Sequence, residues 1–321
     1  MKPLFYTSKT ITPKDRSQIV CIRTGIKELD KRIIGLNKKE VSIVSGVNGS
    51  GKSSVISQIA LEVVQCGRKV AIFSGELSEH RTLEWLQLQA AGKNNTNATQ
   101  YENYYFVKPE IKKEINEWLD GKLYIYNNEY GNKIDSVLRS IEDCIQYKKC
   151  DLVVLDNLMS LDITSLSREK LEREKVLILK VMELAKNGNV HILLVAHPRK
   201  AQGFIRKDDI SGSGDLTNAV DNVFIIHRVN NDFRRLSKEY FGAKVSEALC
   251  WNGNVIEVCK NRDLGVQDFF AGLYFEKESK RFLNNLEEIK KYDWEKNLDI
   301  PEEHRQILLE DDGELPPFDL E

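Results

Sequence analysis

Residues 46–53 read Gly46-Val47-Asn48-Gly49-Ser50-Gly51-Lys52-Ser53, a complete G-x-x-x-x-G-K-[ST] pattern. Its setting decides the fold. Val41-Ser42-Ile43-Val44-Ser45 is a short apolar strand running into the pattern, and Ser54-Val55-Ile56-Ser57-Gln58-Ile59-Ala60-Leu61 carries helical apolar spacing behind it. A glycine-rich turn between strand and helix points successive backbone N–H groups at phosphate oxygens, and the helix N-terminus adds partial positive charge. The candidate phosphate-binding residues are therefore Gly46, Val47, Asn48, Gly49, Ser50, Gly51, Lys52, Ser53 and Ser54. Lys52 would reach the β- and γ-phosphates and the Ser53 hydroxyl would ligate Mg²⁺, which implies ATP or another nucleoside triphosphate with that metal.

Outward from this loop, strands and helices alternate. Lys69–Ser74 is a second strand, and Ser78 caps a helix running to Ala91. Lys93–Gln100 is polar and expected to be an exposed loop. A strand at Leu123–Tyr126 precedes a helix over Ile134–Tyr147. Leu152-Val153-Val154-Leu155-Asp156 and Ile192-Leu193-Leu194-Val195-Ala196 are continuous apolar runs of the kind buried on both faces of a parallel sheet. A charged helix, Glu169–Lys186, joins them. Val223–Ile226 and Val255–Val258 follow, and Phe269–Phe275 with Arg281-Phe282 reads as a C-terminal hairpin. The fold class is α/β, an open and mostly parallel sheet flanked by helices.

The bulk numbers are compatible with that class. The chain has 321 residues, 41% hydrophobic and 30% charged, and its net charge of −2 means that any nucleic-acid contact must come from a local patch. No run reaches the roughly 18 apolar residues of a membrane span, and no export signal is read, so a cytoplasmic (or organellar) setting without membrane contact is expected. Six scattered cysteines form no C-x-x-C and no zinc-type pairing. Residues 1–21 read as an arm and 22–290 as the ATPase core. Residues 291–321 read as a disordered acidic tail, with eight acidic residues against Arg305 between Pro301 and Glu321.

Hydrolysis needs a metal-positioning acid and a group that orients water. Asp156, ending a buried strand, is the candidate acid beside Ser53, the two forming the metal pair. Glu76 follows the second strand in Ser74-Gly75-Glu76-Leu77-Ser78; spacing alone leaves it open between general base and solvated turn glutamate. His197 closes its strand ahead of Pro198-Arg199-Lys200, where a γ-phosphate contact and a structural histidine are both open. Lys260 and Arg262, past Val258, are either solvated or aimed at a phosphate.

Together these segments resemble the RecA-type motor domain of hexameric replicative helicases, the DnaB family, in its Twinkle and phage primase–helicase branch. The resemblance rests on Thr24-Gly25-Ile26 with Leu29-Asp30, Phe73-Ser74-Gly75-Glu76-Leu77-Ser78, Leu155-Asp156-Asn157-Leu158, His197-Pro198-Arg199-Lys200, Ser211-Gly212-Ser213-Gly214-Asp215 with Ala219, Asp221 and Asn222, and Lys260-Asn261-Arg262. It spans about residues 22–283 in the family's order. Lys38-Lys39-Glu40 departs from the usual glycine-glutamate, and no primase, zinc or collar domain is read ahead of Ile22, so a stand-alone motor or one served by a separate primase is expected.

The resemblance implies that Lys52, Glu76, Asp156, His197, Lys260 and Arg262 are catalytic, with Glu76 as base, His197 as γ-phosphate sensor and the lysine–arginine pair reaching a neighbour's nucleotide. It implies an ATP-dependent helicase in a hexameric ring around single-stranded DNA. The DNA would be held on loops near Met159–Arg168 and Arg199–Gly214 through Arg199, Lys200, Arg206 and Lys207. A replication partner (primase, polymerase or single-strand-binding protein) could meet the tail. A RecA/KaiC-like recombination or signalling ATPase, and a nucleotide-gated loader without unwinding activity, are the alternatives. Tyr101, Tyr104, Tyr105 and Phe106 are expected to pack beneath a loop rather than to stack bases.

Overall fold

The computed structural model describes residues 5–11, 21–199, 204–210 and 214–297. Lys200, Gly203, the Ser211-Gly212-Ser213 stretch and the acidic tail from 298 onward lie outside the described residues. In chain order the elements are α1 (Lys27–Ile33), β1 (Val41–Ser45), α2 (Lys52–Gln65), β2 (Val70–Ser74), α3 (Glu79–Ala91), β3 (Thr96–Ala98), β4 (Tyr105–Val107), α4 (Pro109–Leu119), β5 (Leu123–Ile125) and α5 (Ile134–Asp143). Then come β6 (Leu152–Asp156), α6 (Lys170–Gly188), β7 (His191–Val195), α7 (Gly214–Ala219), β8 (Asn222–Arg228), α8 (Asn231–Phe241), α9 (Ala243–Leu249), β9 (Asn254–Asn261), β10 (Phe269–Glu276) and β11 (Arg281–Leu283).

Every residue of β1, β2, β6 and β7 is buried, as a parallel sheet covered on both faces requires. The main sheet has nine strands in the order β11-β10-β9-β8-β1-β7-β6-β2-β5. From β8 to β5 the pairing is parallel, and β9, β10 and β11 extend it antiparallel. Side chains alternate between two cores: Val44, Val154 and Leu193 pack with α2 and α3 on one face, Ile43, Val153 and Leu194 with α5 and α6 on the other. This order places the C-terminal ends of β1, β7, β6 and β2 side by side, although Glu76 after β2 and His197 after β7 are 121 positions apart in sequence. Ligands of open α/β sheets bind along that edge.

Three expectations need correcting. The Lys93–Gln100 stretch is a 3₁₀ turn followed by β3, which pairs with β4 in a separate ribbon. Tyr101, Tyr104 and Phe106 on that ribbon are exposed, 67%, 60% and 40%, so they do not pack beneath a loop. Ordered packing also runs past the expected boundary at 290, because Tyr292 and Trp294 are buried in the core with Trp118 and Phe282, and the Trp294 indole N–H donates to the Ala90 carbonyl at 3.1 Å. Helices α4, α8 and α9 were not anticipated. Asp30 shows why the lead-in is ordered: its buried carboxylate accepts from the Thr24 and Gly25 backbone N–H groups at 2.9 and 3.1 Å, fastening α1 to the preceding turn. Among the described residues no helix is long and apolar enough to cross a membrane.

Candidate functional site

The turn from β1 into α2 is built around close approach. A Cβ at Gly46 would fall 2.4 Å from Ser50 Oγ and 2.5 Å from the Ile226 carbonyl. At Gly51, with φ +94°, it would strike the Phe282 ring at 2.6 Å, so both positions exclude a side chain. Lys52 folds inward, 7% exposed, and its Nζ donates to the carbonyls of Gly46 and Val47 at 2.8 and 3.1 Å. Burial lowers its pKa, opposed by the charges of Asp156 and Glu76. Among the described residues it has no carboxylate in ion-pair contact, and the buried Ser50 Oγ has no hydrogen-bond partner. A buried ammonium without an anion beside an unsatisfied hydroxyl is a cradle suited to phosphate oxygens.

Asp156, at the end of β6, is 8% exposed and accepts from Ser53 Oγ at 3.2 Å. Burial raises its pKa above the ordinary carboxylate value and the neighbouring Glu76 adds to that, while the Ser53 hydrogen bond, Lys52 and His197 oppose it. Ser74 pairs with Asp156 across β2 and β6, which brings Glu76 to the same edge. Glu76, His197 and Asn157 meet there. His197 Nε2 lies 3.0 Å from Glu76 Oε1 and 2.9 Å from Asn157 Nδ2, and Asn157 Nδ2 also donates to Glu76 Oε1. The Asn157 amide has one orientation, because its Oδ1 accepts from the N–H groups of Met159 and Ser160 at 2.8 and 3.1 Å. Asn157 is therefore a bracket that turns an N–H onto the carboxylate.

These groups line a cleft of about 1190 Å³ together with Trp85, Arg228, Asn254, Phe275, Lys280 and Phe282. That volume accommodates a nucleoside triphosphate. Asn254 Nδ2 donates to the Ser50 carbonyl at 2.7 Å, and Lys280 Nζ sits 5.9 Å over the Phe275 ring, so β9, β10 and β11 form the wall opposite the carboxylates. Sequence reading missed Asn157 and all of this wall. Asn157 had a signal, since it follows Asp156 directly; the wall residues had none, being about 200 residues from the loop they touch.

The remaining expected residues are elsewhere. Lys260 Nζ donates to the carbonyls of Thr217, Asn218 and Val220 at 3.2, 2.7 and 2.7 Å. Arg262 donates to Asn218 and Ala219 carbonyls at 3.1 and 3.0 Å and pairs with Asp221 at 3.1 Å. Both cover the C-terminal end of α7, where cations are favoured. Because β9 runs antiparallel to β8, Arg262 lies at the edge of the sheet opposite the phosphate loop, a strand length of roughly 16 Å along the sheet, and Lys260, level with Ile43 in mid-strand, turns its Nζ to that same edge. Neither side chain joins the cleft lined by the phosphate loop of its own chain. Arg199 and Asp209 close the neck of the loop after β7, N–H to carbonyl at 2.7 Å. Lys207 is half-buried on a 3₁₀ turn. Arg206, expected on a DNA path, is instead turned inward: a guanidinium nitrogen lies 3.3 Å from buried Glu257 and the group stacks on Phe241.

The donor set fits Mg²⁺ with a nucleotide. One hydroxyl and one carboxylate converge at 3.2 Å beside the cradle, as a metal needs that takes most of its ligands from phosphates and water. Among the described residues no group of three or more metal-ligating side chains competes for that role.

Similar proteins agree with this fold. The DnaB-like helicase C terminal domain family matches residues 21–284. The chain is 26% identical over 215 residues to the Twinkle homolog protein, chloroplastic/mitochondrial, of Arabidopsis thaliana, covering 64% of this chain and 30% of that protein. It is 25% identical to the DNA helicase/primase of Enterobacteria phage T3 (64% and 38%) and 23% identical to the replicative DNA helicase DnaB of Helicobacter pylori strain 26695 (73% and 50%). It thus spans between about a third and a half of these relatives. Among solved structures, one ATPase domain superposes with a TM-score of 0.63 at 16% identity, covering 84% of this chain and 93% of that one. A DnaB-like replicative helicase solved in a study of its interactions with primase superposes at 0.62 and 15% identity, covering 83% and 62%. A RecA-like fold, the ordered segments and a match over most of the described core lead to one assignment: the chain belongs to the DnaB-like helicase C terminal domain family.

Proposed function

We propose that this chain is an NTP-hydrolysing DNA helicase motor that works as a ring on single-stranded DNA. The observation that carries the reading is the convergence of Lys52, Ser53, Asp156, Glu76, Asn157 and His197 on one cleft. The backbone of residues 46–51 and Lys52 cradle the phosphates. Ser53 and Asp156 hold Mg²⁺, which when bound neutralises charge on the β- and γ-phosphates. Asn157 fixes Glu76 Oε1, leaving Oε2 to take the proton of the attacking water. Glu76 is half-exposed, so water reaches it, while His197, only 20% exposed, stands between the carboxylate and the loop that follows β7. That position suits a residue that touches the γ-phosphate and passes its loss to the loop.

Arginine delivered at the γ-phosphate accelerates phosphoryl transfer strongly. Lys260 and Arg262 lie on the far edge of the sheet, so a contribution from them requires a second subunit, which supports a ring, hexameric by the family's habit. Arg199 and Lys207, with Lys200 between them in sequence, supply the loop's cations for phosphates without base readout. The acidic tail would meet a replication partner. Steady-state ATP hydrolysis by the full chain, with and without single-stranded DNA and with Lys52→Ala as blank, tests the reading. Stimulation by DNA, followed by unwinding of a forked duplex, is expected. Hydrolysis indifferent to DNA would reject the helicase reading.

A further inference from the structure

The inward turn of Arg206 is part of a larger arrangement. Its guanidinium carbon sits 4.9 Å from the Phe241 ring centre and 5.5 Å from that of Tyr240, both on α8. One nitrogen lies 3.3 Å from Glu257 Oε1 and another 3.5 Å from Asp268. Glu257, on β9, is wholly buried, and its Oε2 is 2.7 Å from Nε2 of buried His227 on β8. Two residues ahead, Phe204 stacks on His227 at 4.8 Å and 12° and on Tyr240 at 5.5 Å and 13°. Buried Ile205 lines the same small cavity as Val47 of the phosphate loop. The neck of this loop is closed by the Pro198–Ile210 bridge.

Glu257 Oε1 has no hydrogen bond among the described residues, and the ion pair with Arg206 is its compensation. A buried carboxylate stripped of its partner is strongly unfavourable, whereas replacing both partners with neutral groups of similar volume is tolerated. A guanidinium partly desolvated against two rings gains further from their faces. Arg206 therefore cannot leave for a DNA phosphate without leaving the buried Oε1 of Glu257 uncompensated, with His227 holding only the other oxygen.

We propose that Arg206 and Glu257 form a latch that seats the basic loop on β9 beneath the aromatic cover of α8, so that Arg206 positions the loop for DNA rather than touching it. This rests on the helicase reading above. The test is binding of a fluorescein-labelled oligothymidylate by the full chain with Mg²⁺ and a slowly hydrolysed ATP analogue, across a salt series. Arg206→Met should weaken binding about tenfold with an unchanged slope of log affinity against log salt. Arg206→Lys, which keeps the charge but not the planar stack, should weaken it as much. The double variant Arg206→Met with Glu257→Gln should recover most of the loss, and melting temperatures should follow the same cycle. A slope smaller by about 0.7, one single-strand phosphate contact, in Arg206→Met, or wild-type binding in Arg206→Lys, would overturn the latch while leaving the helicase reading intact. A wild type that binds no oligothymidylate would overturn that reading and the latch's part in it together.

Discussion

Removing the side chain of Asn157 should slow hydrolysis while leaving nucleotide affinity in place. The Asn157 amide makes one hydrogen bond to the carboxylate of Glu76, and its Oδ1 separately caps the turn at Met159 and Ser160. Hydrogen bonds to charged groups contribute about 1.5–3 kcal/mol. Glu76 is 50% exposed, so solvent competes for it and the lower figure applies; about 1.5 kcal/mol is roughly a tenfold fall in kcat. KM for ATP should stay within about twofold, because the cradle of Lys52 and Ser53 does not involve this amide and only an interaction specific to the transition state is lost. Asn157→Ala removes both functions of the side chain, so Asn157→Asp is the informative partner. It keeps an acceptor for the Met159 and Ser160 N–H groups but sets a second carboxylate against Glu76. Steady-state ATPase with saturating single-stranded DNA, alongside melting curves, reads both. The bracket predicts that Asp is at least as slow as Ala. A kcat near wild type in Asn157→Asp, or a raised KM at unchanged kcat in Asn157→Ala, would refute it and leave Asn157 a turn cap.

Further outcomes follow from the same geometry. Arg262→Ala subunits mixed with wild type should depress ATPase more steeply than their fraction, since Arg262 lies too far from its own phosphate loop; a linear dilution curve would argue against a contribution in trans. Asp156→Asn should abolish hydrolysis yet raise the melting temperature of the nucleotide-free protein at neutral pH. Its carboxyl has a pKa raised by burial, so the folded state binds that proton more tightly than the unfolded one, and Asp156 stabilises less as pH rises through its ordinary value towards its raised one. The gain from asparagine should accordingly shrink as pH falls through that window, and a gain independent of pH would contradict the assignment. Trp294→Ala should cost about 3–5 kcal/mol of stability, read by denaturant unfolding; a loss below about 1 kcal/mol would mean that the packed unit ends near residue 290.

Much of the site was legible one residue at a time. The phosphate loop declares itself because a strand, a glycine turn and a helix are consecutive in the chain, so local chemistry is sufficient. Asp156 was legible because a carboxylate ending a continuous apolar strand must face the sheet edge, whereas His197 was open between a phosphate contact and a structural role until the resemblance supplied one. Glu76 was open on spacing alone, and the resemblance supplied its expected role. Helices α8 and α9 were missed, although Asn230 caps α8 by accepting from the Phe233 N–H at 2.9 Å, because their polar, interrupted pattern buries few residues.

Sequence by itself determined the α/β class, the phosphate-loop pattern between strand and helix, and the acid that ends a buried strand, since each is written in neighbours within about ten residues. Only the tertiary structure decided which strand ends lie side by side, and so that Glu76, Asn157 and His197 share hydrogen bonds. It alone decided that the C-terminal hairpin walls the cleft, that Lys260 and Arg262 turn to the sheet edge opposite their own phosphate loop, and that Arg206 answers a buried glutamate 51 residues away. The reason is physical. Periodicity tells a side chain which face to bury, but strand order and the pairing of buried charges are set by contacts between distant segments, which no local pattern encodes.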